Sequence, residues 1–165
     1  MSLVGRTDKE LIKDIQNQED SLVFGEFGSA IALKIGLDLA ARAQKAQLPI
    51  AIDVTLSGQC LFHTAMPGAT PDNAQWILRK NRVVERFHHS SLYMGALCRD
   101  AGTTLEQKYM LPPNTFAAFG GAFPIVLKSV GVVGTITVSG LPQVQDHDLV
   151  VQSIAAYLNS ASEHS

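Results

Sequence analysis

Hydrophobic residues recur along this chain at two periods, and the two periods separate the predicted helices from the predicted strands. Spacings of three and four residues predict helices that start at Thr7 or Asp8, cover 29–47, 71–89 and 91–99, and close the chain from Gln145 or Asp146. Short runs rich in β-branched and aromatic residues predict strands instead. These runs lie at 22–24, 50–56 and 60–65, with two more inside 119–140, where glycines mark the turns.

The order of these elements predicts the fold class. A short peripheral helix is followed by a short strand, a long helix, a hairpin, a helix, a loop, a second hairpin and a closing helix. Two hairpins predict an antiparallel sheet, and the amphipathic helices must cover at least one of its faces. We therefore predict an α+β fold, and the length of 165 residues favours one domain over residues 1–165.

Composition narrows the classes of partner and compartment. The formal net charge of −2 gives no reason to expect nucleic acid or an anionic membrane as partner. No apolar run reaches the roughly 18 residues that span a bilayer, and no secretory pattern opens the chain. We expect a cytoplasmic protein in which Cys60 and Cys98 are reduced thiols.

Histidine is the residue type best suited here to bind a metal or haem iron, because imidazole is a common donor to both. The histidines are His63, His88, His89 and His147, with His164 near the end of the chain. The neighbours His88 and His89 cannot share one helical face. We predict His63, His89 and His147 as candidate metal ligands; without any zinc-type spacing, a structural or surface role is the alternative for each.

Asp53 and His63 are candidate catalytic residues, because a carboxylate that orients an imidazole is a common acid-base arrangement. Strand register decides whether they meet. If the Ser57-Gly58 turn has two residues and the ladder is regular, Asp53 faces Phe62 and the pair lies on opposite sheet faces. A one-residue bulge reverses the parity and brings the two side chains together.

A small anionic ligand is the second chemical prediction. The third helix carries Arg79, Lys80, Arg82 and Arg86, and guanidinium groups offer paired donors to carboxylates or phosphates. The backbone of a glycine pair can add N–H groups, and alternating hydroxyls line one strand face. We predict ligand binding at Arg79, Lys80, Gly120, Gly121 and Thr137. The alternatives are solvated surface charges and a glycine pair that only permits a sharp strand entry.

Motifs in the second half of the chain resemble a known family. They are Gly120-Gly121, Pro124-Ile125, the run VVGTITVSG at 132–140 and Asp146-His147. With them the chain, from about Ile31 to Leu158, resembles the haem-degrading-domain (HbpS-like) family. Upstream, Trp76, Lys80, Val83, Phe87 and His89-Ser90-Ser91 resemble its cytosolic UPF branch.

The resemblance implies a profilin-like fold with an antiparallel sheet of about five strands flanked by helices, assembled as a homo-oligomer. It also implies haem as a possible cofactor. Three hypotheses follow. In the first, the protein binds a small molecule at a site between subunits, near His63, Arg79, Lys80, Gly121 and Thr137. In the second, it is an enzyme acting on haem or a small organic acid through His63 and Asp53. In the third, it is a structural oligomer whose segment 116–123 is an interface.

Overall fold

The computed structural model describes residues 1–163 and contains six helices and four strands. The helices are α1 (Asp8–Ser21), α2 (Ser29–Lys45), α3 (Pro71–Phe87), α4 (Ser91–Asp100), α5 (Leu105–Tyr109) and α6 (Gln143–Glu163). The strands are β1 (Ala51–Leu56), β2 (Gln59–Ala65), β3 (Ala122–Leu127) and β4 (Gly131–Ser139). The candidate ligand His164 lies outside the described residues.

The strands form one antiparallel sheet in the order β2-β1-β4-β3, so the predicted α+β class is confirmed. The sheet has four strands rather than about five. The predicted strand at 22–24 makes a single parallel bridge, between Phe24 and Leu127 at the β3 edge. Only Phe24 is bonded there, through its N–H to Val126 and its carbonyl to Lys128, and the chain bends away at Gly25.

One face of the sheet is apolar and carries the main core. Alternate residues such as Ile52, Val54, Ile136 and Val138 are fully buried under α2 and α6. Burying each such side chain contributes roughly 1.5–3 kcal/mol. Apolar residues alternate with other residues along β1 and β4, so the apolar ones all point into this core. The intervening residues point to the opposite face of the sheet.

The opposite face is polar although it too is buried. Asp53, Thr135, Thr137 and Ser139 lie on it, covered mainly by α3. Buried polar groups cost free energy unless they find hydrogen-bond partners. This layer between α3 and the sheet is where the candidate sites lie.

Three details differ from the sequence expectations. Helix α1 is not peripheral, because its buried Leu11 and Ile15 pack against α4. Helix α6 begins at Gln143, directly after a proline that suits a helix start. Helix α5 was not predicted, since its five residues bury only Leu105 and therefore show no period.

No helix within residues 1–163 is both long enough and apolar enough to cross a membrane.

Candidate functional sites

A β-bulge in the first hairpin joins two of the predicted residues. Beyond the Ser57-Gly58 turn, Thr55 still pairs with Cys60, but Val54 pairs with Phe62, so Leu61 is an extra residue on β2. Asp53 then faces His63, and His63 Nδ1 lies 3.2 Å from Asp53 Oδ2. The register with a bulge, one of the two open alternatives, is the one that forms.

Asp53 is buried and accepts several hydrogen bonds. The residue is 6% exposed, and Oδ1 accepts from Thr55 Oγ1 at 2.8 Å and from Asn81 Nδ2 at 3.3 Å. Cys60 Sγ lies 3.6 Å from Oδ2, and Thr137 donates to Asn81 Oδ1 at 2.5 Å. Thr137, predicted as a ligand contact, is fully buried, and its hydrogen bond holds Asn81 in place.

This network determines the chemistry open to His63. A carboxylate only accepts, so in the neutral imidazole Nδ1 carries the proton and Nε2 keeps its lone pair. The side chain is 39% exposed, and Nε2 has no partner among residues 1–163. Burial and the nearby Asp53 raise the pKa of Cys60, so this thiol stays protonated. The pair can exchange a proton at Nε2, whereas Cys60 is not a thiolate nucleophile.

A second site lies where α3, the segment before β3 and the turn between β4 and α6 meet. A cavity of about 300 Å³ opens there, which we call the Trp76 cavity. Its lining residues are Asn73, Trp76, Lys80, Phe119, Ser139, Gly140, Leu141, Gln143 and Asp146. Of the predicted ligand residues, it contains Lys80.

Lys80 and Asp146 form a buried ion pair at this cavity. Lys80 is 3% exposed and Asp146 is 1% exposed. Lys80 Nζ donates to Asp146 Oδ2 and to the Val138 carbonyl, each at 3.1 Å. Asp146 also accepts from the N–H groups of Gly140 and Leu141. Burial lowers the pKa of Lys80 and raises the pKa of Asp146, because desolvation outweighs their mutual attraction.

The two predicted glycines let the backbone pack closely around this pair. Gly121 has a φ of +136°, and a Cβ there would lie 2.3 Å from the Val138 carbonyl oxygen and 2.7 Å from Lys80 Nζ. The Gly120 N–H donates to Gln143 Oε1 at 3.2 Å, so it is not free for an anion. Gly121 is thus needed for close approach of the chain to Lys80, whereas Gly120 permits close approach to the Gln143 carbonyl.

Aromatic residues and an arginine surround the cavity. The rings of Trp76 and Phe119 meet edge to face with centroids 5.8 Å apart, and Phe119 is 49% exposed. The Arg79 guanidinium lies 4.2 Å from the Trp76 ring centroid. Its Nε donates to the Gln75 carbonyl, while its Nη groups have no partner among residues 1–163. Arg79 does not itself line the cavity, but it places an available cation next to Trp76, which does.

The other two predicted metal ligands have structural partners. His89 Nδ1 donates to Glu19 Oε2 at 2.6 Å, which raises the pKa of His89, and its ring stacks on Tyr93. His147 is fully buried; its Nε2 donates to Gln18 Oε1 at 2.8 Å, and burial lowers its pKa to about 3. No three His, Cys, Asp or Glu side chains within residues 1–163 are grouped to hold a metal ion.

Of the nine residues that line the Trp76 cavity, sequence patterns predict only Lys80 as a ligand contact. They place Asp146 at the start of the last helix and give Asn73 and Gln143 no site role. Asn73 lies in the capping box of α3 and Gln143 opens α6. The sequence does indicate that Asn73 and Gln143 lie at helix starts. It does not show that these two helix starts face each other.

The comparisons with known proteins agree with this architecture. Residues 27–155 match the family described as haem degrading protein HbpS-like. A UPF0303 protein of Streptomyces coelicolor is 46% identical over 147 residues, which is 89% of this chain and 93% of that protein.

Solved structures are similar as well. The crystal structure of the Ybr137w protein has a TM-score of 0.83 and 32% identity, covering 91% of this chain and 88% of that one. A PduOC:heme complex has a TM-score of 0.62 at 20% identity, covering 74% and 88%, which shows a shared fold. The chain belongs to the HbpS-like haem-degrading protein family.

Proposed function

We propose that this protein binds a small organic anion in the Trp76 cavity. The observation that carries the proposal is a set of hydrogen-bond donors without partners around it. The side-chain oxygens of Asn73 and Gln143 already accept bonds from Thr70 and Gly120, so their amide N–H₂ groups remain available. The Ser139 hydroxyl also has no partner among residues 1–163. Donors in excess of acceptors favour a ligand rich in oxygen atoms.

The charges favour an anion. The positive charge of Lys80 is balanced by Asp146 within the cavity, whereas the Nη groups of Arg79, next to Trp76, have no acidic partner in the part of the chain that the structure describes. A carboxylate accepts two parallel bonds from a guanidinium, which adds both affinity and orientation. The cavity volume of about 300 Å³ is at the lower end for ligand pockets, so the ligand is small.

Trp76 provides a direct readout, because it is the only tryptophan of the chain. We expect benzoate or pyruvate to change the tryptophan fluorescence saturably. Arg79→Gln should weaken that binding about tenfold, since one charge-assisted hydrogen bond is lost. A fluorescence titration with wild type and variant measures both quantities.

Arg86→Gln is the matched control, because Arg86 is on the same helix but contacts Phe87 and Phe116 instead of Trp76. It should bind the probes like wild type. Fluorescence that stays constant or changes linearly with every acid would contradict the proposal. Equal loss of affinity in the two arginine variants would contradict the role of Arg79.

Haem is the ligand that the family's description implies, and the PduOC relative is described as a heme complex. The residues of one chain do not fit it. Of the five cavities described, four contain no histidine, and the fifth is lined by His88 beside Glu85, Thr55 and Ser57. His63 has a free Nε2 but lies in none of the five. We therefore derive no step through haem.

An interface role for segment 116–123 has less support. Phe116 and Ala118 pack against a buried cluster of the same chain, and Phe123 is fully buried. Phe119 alone among its large apolar residues is exposed, and it borders the Trp76 cavity. Homo-oligomeric assembly, a cytoplasmic location and a single domain stay predictions.

A second candidate function is proton transfer by His63, favoured by its hydrogen bond to Asp53. The probe is p-nitrophenyl acetate, whose hydrolysis is accelerated by accessible imidazoles. We expect His63→Ala to remove most of the protein-dependent hydrolysis, and Asp53→Asn to lower it because the imidazole loses its anchor. His88→Ala is the control, since His88 is exposed at the end of α3 and has no carboxylate partner among the described residues. Equal losses in the two histidine variants would rule out a special role for the pair.

A further inference from the structure

We propose that Lys80 forms an imine with a small 2-oxo acid bound in the Trp76 cavity. The inference rests on the proposed function, because it needs a ligand in that cavity. Lys80 is the one lysine that lines the cavity, and its Nζ is held there by two acceptors only, the Asp146 carboxylate and the Val138 carbonyl. An amine has three N–H positions when protonated, so one is left for a ligand.

The neighbouring carboxylate makes the amine reactive. Asp146 Oδ2 lies 3.1 Å from Nζ, so it can take one ammonium proton and leave a neutral amine with a free lone pair. The burial that lowers the pKa of Lys80 and raises the pKa of Asp146 brings this neutral form closer in free energy to the ion pair. Lysines that form imines are commonly activated by desolvation of this kind.

The step balances without a cofactor. The amine lone pair forms a bond to the carbonyl carbon, and the carbonyl π electrons move to oxygen. The two protons of the neutral amine leave with that oxygen as water, and a C=N bond replaces C=O. Asp146 then returns its proton to the imine nitrogen, which restores an ion pair between a positive nitrogen and the Asp146 carboxylate.

The class of substrate follows from the surroundings. A carbonyl must reach Nζ while the remaining oxygens meet the donors of Asn73, Gln143 and Ser139 in the cavity. The guanidinium of Arg79, next to Trp76, adds positive charge at its border. A carboxylate adjacent to the carbonyl satisfies both requirements in a compact molecule. The volume of about 300 Å³ restricts the acid to a few carbon atoms beyond that unit.

Reductive trapping tests the proposal with the full chain and pyruvate as probe. Sodium borohydride delivers hydride to the imine carbon and converts it to a stable secondary amine. We expect peptide mass mapping to find pyruvate, less water and plus two hydrogens, on Lys80. Lys34 and Lys128 are exposed internal controls and should stay unlabelled under the same conditions. Lys80→Arg should lose the label, because a guanidinium does not form the imine.

The outcomes separate the imine from the binding proposal. Saturable Trp76 fluorescence with pyruvate but no label on Lys80 overturns the imine and leaves binding intact. If pyruvate neither changes the fluorescence nor labels Lys80, the imine is overturned. If the fluorescence also stays constant with benzoate, the proposed function is overturned as well. Equal labelling of Lys80 and Lys128 overturns the imine, because the reaction would then not be specific to the cavity. Mapping of the wild-type chain decides the question even where Lys80→Arg folds poorly.

Discussion

Replacement of Lys80 by methionine is expected to destabilise the protein by about 3–5 kcal/mol, the largest effect of any single change considered. Methionine keeps the volume but removes the charge. Asp146, 1% exposed, would then be a buried carboxylate whose remaining donors are the N–H groups of Gly140 and Leu141. Breaking one side of a buried ion pair costs more than the pair contributes, because the other charge stays desolvated. Urea unfolding at neutral pH measures the loss.

Two further variants show whether the uncompensated charge is the cause. Adding Asp146→Asn to Lys80→Met removes the charge yet keeps an oxygen for Leu141, so the double variant should be more stable than Lys80→Met alone. Lys34→Met, at an exposed position of α2, should change the stability by less than about 0.5 kcal/mol. A double variant that is less stable than the single one would rule out this explanation.

Local patterns predicted the elements of the fold well because each depends on neighbours in sequence. Thr70 followed by Pro71 marks the start of α3, and the alternation around Ile136 and Val138 marks β4. The sheet order, with β4 between β1 and β3, is a tertiary property. It does not follow from the identity of the strands.

The sites depended on long-range pairing, which sequence patterns do not contain. Lys80 and Asp146 are 66 residues apart, and neither position differs locally from an ordinary helix residue. The Asp53–His63 contact depends on one bulge residue, so strand patterns predict two alternative registers and do not choose between them. The ligand-binding role of Lys80 and Gly121 stays a prediction. Their proximity to Asp146, and the placement of Thr137 against Asn81 instead, are properties of the tertiary structure.

Acid sensitivity due to His147 is the second large effect expected. His147 is fully buried and faces Gln18 and Phe123, and its pKa is lowered to about 3 from the ordinary value of 6.5. Between these values the unfolded chain binds a proton at this residue and the folded chain does not, so stability falls as the pH drops from 6.5. At about pH 5 the loss is about 2 kcal/mol, from about 1.4 kcal/mol per pH unit.

His147→Gln removes this titration while keeping an N–H donor for Gln18. Between about pH 7.5 and pH 5, the variant should therefore lose about 2 kcal/mol less unfolding free energy than wild type loses.

His89 acts in the opposite direction. Its raised pKa adds stability that is complete below the unfolded value and is lost as the pH rises through the folded value. Its contribution is therefore constant on the acid side, and His89→Gln should alter the profile only at higher pH. Urea unfolding across this range measures all three proteins, and equal acid slopes for wild type and His147→Gln would show that His147 does not cause the sensitivity.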